Sequence, residues 1–252
     1  MIDPLFVAVL VTAALLTGLS KSGFAVSLGA VSAPLMTLVL PARDAAGILL
    51  PVLLMLDAIA LAVYRREVDW RIFWIMIPGA MIGTGIGWGL SAVVDEAMVR
   101  LAIGVITLIF VLDAWFPLRK KLEGLPPSKA WGSFWGGVAG FTSFVSHTGG
   151  PPFQIFVMPR RLAPAIYAGT TAFFFAVVNT SKLVPYAFLG QLSAHNLTLS
   201  AWLMPVAAAA MLIGVFLVRR VPQAFFYRLT YWLLFLLSLK LIYDGGAGVL
   251  GA

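Results

Sequence analysis

The chain is 252 residues long, 61% hydrophobic and only 11% charged, with a mean hydropathy of +0.99. So little charge cannot cover a soluble surface, which excludes a water-soluble domain. The net charge of +7 comes from basic residues in short loops between apolar runs, where membrane topology accounts for them without a nucleic-acid partner; the absence of cysteine excludes disulfides and thiolate metal sites.

Taken in order, the apolar segments are 4–19, 24–40, 44–64, 71–91, 98–116, 131–146, 151–158, 164–189, 196–218 and 222–243. A run of about 20 apolar residues crosses a hydrocarbon core of about 30 Å as a helix. The segments are continuously apolar rather than alternating, which argues against a β-barrel. The expected fold is therefore an all-α polytopic membrane protein. The first run has no basic leading region and no small-residue cleavage site, so it reads as a mature span rather than a signal peptide.

The longest polar stretch, Pro117 to Lys129, divides the chain into a first transmembrane repeat (1–116), a cytoplasmic basic linker (117–129) and a second transmembrane repeat (130–252). Gly18-Leu19-Ser20 matches Gly140-Phe141-Thr142, an offset of 140 − 18 = 122. Gly47, Asp57 and Tyr64 fall opposite Gly169, Asn179 and Tyr186 at the same offset, and Pro78 and Gly87 fall opposite Pro205 and Gly214 at an offset of 205 − 78 = 127. The basic loops at Arg65–Arg71 and Arg119–Lys121 share one side and are expected in the cytoplasm. In the second half the basic loops, Arg160-Arg161 and Arg219-Arg220, match the first half's external loops, so the charge bias flips between halves. That flip marks inverted-topology repeats, each a broken or re-entrant helical hairpin (4–40 and 131–158) followed by three transmembrane helices. Both termini are then expected outside.

Two polar breaks interrupt the hairpins: Ser20-Lys21-Ser22-Gly23, and Ser146-His147-Thr148-Gly149-Gly150-Pro151-Pro152. Glycine and proline cannot continue a helix there, so the backbone opens. Ser20 or Ser22 is expected to cap a helix starting near Phe24, and Pro151 to open the next helix in the second half. Helix N-termini at both breaks would present unpaired amides to an anion, with Lys21 and His147 adding positive or switchable charge. The bland alternative is a pair of tight surface turns.

Asn179-Thr180-Ser181-Lys182 lies deep in the run 164–189. A lysine within a span faces a cavity or a partner, unless it snorkels to the interface. Asn179, one turn earlier, shares its face. Asp57, the repeat counterpart of Asn179, must be paired, protonated or part of a proton path, and Lys182 is one conceivable partner. Asp113 and Lys240 read as interfacial, His195 as solvated, and the span glycines as close-packing positions. No P-loop, HExxH pair or nucleophile elbow is present in the sequence, so any transport should be secondary or passive.

With these motifs in place the chain resembles the TauE/SafE family of sulfite exporters and related permeases for organosulfur anions. The resemblance rests on Gly18-Leu19-Ser20-Lys21-Ser22-Gly23-Phe24, on Gly140-Phe141 through His147-Thr148-Gly149-Gly150-Pro151-Pro152, and on Asn179 through Lys182 with Pro185-Tyr186. It implies bacterial plasma-membrane transport of sulfite, a sulfonate or a similar small anion.

The expected function is a secondary transporter that moves such an anion by alternating access, with no cofactor and no metal. Ser20, Lys21, Ser22, Gly23, His147, Thr148, Gly149, Gly150, Asn179 and Lys182 are the candidate substrate-binding residues. His147 and Asp57 are the candidates for proton coupling, His147 because its ordinary pKa lies near neutrality. The expected partners are the small anion and the lipid bilayer, and the sequence leaves a homo-oligomer open. An anion channel with a continuous pore lined by the two breaks is the alternative. An intramembrane enzyme is disfavoured, since it needs a nucleophile–base pair or a metal cluster.

Overall fold

The structure, a computed structural model, describes residues 3–23, 28–91, 93, 95–116 and 128–250. The helix start expected near Phe24 and the linker from Pro117 to Pro127 lie outside the described residues. The helices are α1 (Pro4–Lys21), α2 (Gly29–Met36), α3 (Ala42–Val63), α4 (Trp70–Gly89), α5 (Glu96–Trp115), α6 (Lys129–Ser146), α7 (Gly150–Val157), α8 (Pro164–Ser181), α9 (Leu183–Phe188), α10 (Ala194–Arg220) and α11 (Gln223–Leu250). No strand occurs among the described residues.

Local chemistry starts several of these helices. The side chains of Asp3, Asp95, Ser128 and Ser193 each accept a backbone N–H two or three residues on, which satisfies one orphan donor of the first turn. Five helices are long and apolar enough to cross a membrane: Pro4–Lys21, Arg43–Val63, Trp70–Gly89, Ala194–Arg220 and Gln223–Leu250. Many large apolar side chains remain exposed along them, among them Trp74, Ile82, Trp202, Ile213, Trp232 and Leu236. In water such surface would be a liability; against acyl chains it is the expected outer face. The all-α polytopic membrane fold read from the sequence is the fold observed.

Each hairpin is a long helix followed by a short one. α1 and α6 have 18 residues each, and α2 and α7 have 8 each. Eight residues rise about 12 Å, well short of the hydrocarbon core. The apolar segment 24–40 is thus no single helix. Among its described residues the α-helical part is α2, and residues 37–40 close as turns through bonds such as Leu40 N–H to Met36 O.

The segment 164–189 also departs from the expectation of one span. It divides into α8 and α9 at Lys182. Pro185 has no N–H to offer the carbonyl one turn back, and the Lys182 N–H turns to Asn179 O in a tighter bond of 3.1 Å.

The chain forms two compact units, and each draws on both halves of the sequence. One comprises Met1–Asp69 with Pro164–Pro222. Here α1 packs on α10 and α3 packs on α8 and α10. A Cβ on Gly18 would run into the Ala207 carbonyl, and one on Gly214 into the Ser22 hydroxyl. The other unit comprises Trp70–Ala163 with Gln223–Ala252. Here α6 packs on α4 and α11 on α5. A Cβ on Gly140 would run into the Ala80 carbonyl, one on Gly136 into that of Met76, and one on Gly79 into that of Ser133. These glycines let backbones touch, the close-packing role expected of them. At Gly85 and Gly89, by contrast, an added Cβ would meet nothing within 4 Å.

Candidate functional site

The first break ends α1 and stays within the first unit. Ser22 is the C-cap, and its hydroxyl donates to Leu19 O at 2.6 Å. Ser22 therefore closes the helix before the break; the helix start near Phe24 that it or Ser20 is expected to cap lies outside the described residues. Gly23 follows with φ +85°, a left-handed conformation open to glycine, and its Cα packs against Ala168 so closely that no side chain would fit. The Tyr64 hydroxyl, fully buried, donates to Ser22 O at 2.7 Å and pins the break from α3.

Around this break four polar side chains meet. Lys21 Nζ lies 2.5 Å from Asp57 Oδ1. Asn179 Nδ2 donates to Asp57 Oδ2 at 2.7 Å, and Lys182 Nζ donates to Asn179 Oδ1 at 3.2 Å. The Lys21 ammonium also stands 5.5 Å from the centroid of the Phe175 ring. Asp57 and Asn179 are each 2% exposed and Lys182 is 0% exposed. Lys182 does not snorkel. It is held at the junction where α8 stops and α9 begins, with its side chain inside the unit.

The partner of Asp57 differs from the one the sequence offers. Its ion pair at 2.5 Å is with Lys21, 36 positions away, and Asn179 bridges it to Lys182. No spacing in the sequence links α1 to α3 in this way. Nor does sequence pattern give a role to Phe175 or Tyr64. The one hint for Tyr64 is its place opposite Tyr186 at the sequence offset of 122.

The second break lies in the other unit. His147 ends α6 in the left-handed region, φ 54°. The Thr148 N–H bonds back to Thr142 O at 3.2 Å, Thr142 Oγ1 donates to Thr148 O at 3.3 Å, and the Ser146 and Thr148 hydroxyls bond each other at 2.7 Å. Gly149 is the N-cap of α7, Gly150 its first residue, and Pro151 stands in its first turn as expected. Thr148 is fully buried, and Gly149 is buried beside it.

The remaining ionisable candidates are peripheral. His195 is exposed, and Lys240 pairs with Asp244 at 2.8 Å on the outer face of α11. The side chain of Asp113 lies outside what the structure describes. Among the described residues no group of His, Asp or Glu could hold a metal ion.

The geometry thus defines a helical membrane protein with polar, partly unwound helix ends and a buried cationic cluster, the class to which secondary transporters belong. The family model for the sulfite exporter TauE/SafE matches residues 10–241, and the chain belongs to that family of membrane transporters. No curated protein and no solved structure matches the chain.

Proposed function

We propose that this protein is a secondary transporter that carries a small sulfur-containing anion, such as sulfite or an organosulfonate, across the bacterial plasma membrane by alternating access. The observation that carries this reading is the charge balance of the buried cluster: two lysines, Lys21 and Lys182, against one carboxylate, Asp57. An excess cation inside a membrane protein is costly unless an anion completes it. Lys182 and Lys21 supply the charge, Asn179 orients Lys182, and the break at Ser20, Ser22 and Gly23 opens the backbone beside them. In the other unit His147, Thr148, Gly149 and Gly150 form a second open break, with amides at the start of α7 suited to an anion and His147 as a second proton site in addition to Asp57.

The inverted repeat is part of the same reading, with both termini outside. It is supported by paired contacts. Gly18 against Ala207 has its counterpart in Gly140 against Ala80, and Ser22 against Gly214 has its counterpart in Phe144 against Gly87. Each member of the second pair follows from the first by the offsets of 122 and 127 found in the sequence.

The test is sulfite-dependent flux in proteoliposomes. Wild-type flux should saturate with concentration, and Lys182→Ala should abolish it with the protein still folded. Unchanged flux and affinity in Lys182→Ala would remove this lysine from the site. Flux that never saturates would replace the carrier by a channel.

A further inference from the structure

The chain of bonds from Lys21 through Asp57 and Asn179 to Lys182 has a built-in direction. A lysine ammonium only donates and a carboxylate only accepts. Both oxygens of Asp57 are engaged as acceptors, Oδ1 from Lys21 at 2.5 Å and Oδ2 from Asn179 at 2.7 Å. Asn179 must therefore turn its NH₂ to the carboxylate and its oxygen to the Lys182 ammonium, 3.2 Å away. The opposite orientation would set amide NH₂ against ammonium and carbonyl against carboxylate.

A proton on Asp57 Oδ2 reverses this direction. That oxygen must now donate, and the acceptor at hand is Asn179 Oδ1. The amide turns, its NH₂ swings toward Lys182, and two donors face each other. Lys182 loses this acceptor and gains most from an anionic one in its place. The cluster's charge rises by one at the same moment.

We propose that Asn179 couples a proton on Asp57 to anion binding at Lys182: protonation turns the Asn179 amide, releases Lys182 from it, and the released ammonium takes a dianion, so that one proton enters with each dianion. The proton comes from bulk water, forms one O–H bond at Asp57 and leaves with the anion. The inference rests on the anion-transport reading of the same site and adds the coupling element and the stoichiometry.

Asp57 is the group placed to do this. The charges acting on it are Lys21 from α1 and Lys182 from the α8–α9 junction. α2 carries no titratable residue, and those of α10, His195, Arg219 and Arg220, stand at its two ends. Arg43 and Asp44 stand at the start of α3, where Asp44 is bonded to Asn196 at 3.1 Å, and the tyrosines of the elements around the cluster, Tyr64, Tyr167 and Tyr186, carry phenols.

The test is calorimetry on purified protein with sulfite, at a pH where it is the dianion, and with sulfoacetate, repeated in buffers of different ionisation enthalpy. Proton uptake should be about one per anion bound, and affinity should rise about tenfold for each unit of falling pH. Asp57→Asn should lose the uptake, and Asn179→Ala should flatten the pH slope. Binding without uptake in the wild type, or uptake that persists in Asp57→Asn, overturns the coupling and leaves the anion site standing. Failure of folded wild-type protein to bind either anion overturns the transport reading and the coupling together. Should Asp57→Asn fail to fold or to bind, infrared difference spectra of the wild type decide. A protonated-carboxyl band appearing on anion addition is expected, and its absence overturns the proposal.

Discussion

Asp57 and Asn179 are hydrogen-bonded to each other at 2.7 Å and stand 122 positions apart, the same spacing that relates Gly18 to Gly140. Two residues that the sequence offset of 122 places opposite each other, one able to ionise and one not, therefore meet within one compact unit. The asymmetry between them supplies the negative member of a cluster that would otherwise be purely cationic.

That position makes Asp57 the most sensitive residue of the site. Asp57→Ala should leave Lys21 and Lys182 facing each other without a carboxylate. The cost of breaking a buried pair is about 3–5 kcal/mol. Thermal melting should show a large loss of stability in Asp57→Ala and a smaller one in Asp57→Asn, which keeps the shape and the hydrogen-bonding capacity.

Gly18 and Gly140 should respond alike. At both, an added Cβ meets a carbonyl oxygen of the facing helix, Ala207 for Gly18 and Ala80 for Gly140. Gly18→Ala and Gly140→Ala should each destabilise by about 1–3 kcal/mol, the range for overpacking. Gly85→Ala and Gly89→Ala, which meet open space, should leave the melting temperature unchanged or raise it.

Pro185 holds the junction that carries Lys182. Pro185→Ala restores an N–H and favours one continuous helix through α8 and α9, which would carry Lys182 away from Asn179. Anion affinity should fall about tenfold, equivalent to ~1.4 kcal/mol, while the fold is retained or stabilised. Titration of the anion, followed by thermal shift, checks both effects in one experiment.

Tyr64→Phe removes the donor that holds Ser22 O at 2.7 Å. The buried carbonyl then lacks that partner, at a cost of about 1–3 kcal/mol. Because the lost bond pins the break beside Lys21, anion affinity should drop together with melting temperature. A stability loss with unaltered affinity would show that Tyr64 supports only the packing.

The amino-acid sequence by itself determined what depends on neighbours in the chain. Apolar length marks the spans, and glycine and proline chemistry marks the breaks at Gly23 and at Gly149-Gly150-Pro151. Ser128, Ser193 and Asp95 start helices because a cap bonds an amide two or three residues away. Pro185 carries a local signal for the split of the run 164–189, and the apolar continuity of that run conceals it. Tertiary structure alone decided the rest. Lys21 finds Asp57 across 36 positions and Asp57 finds Asn179 across 122, because α1, α3, α8 and α10 pack into one unit drawn from both halves of the chain. A buried ammonium is tolerated only beside an acceptor, and which acceptor lies beside it depends on how the helices pack, a matter on which sequence spacing is silent.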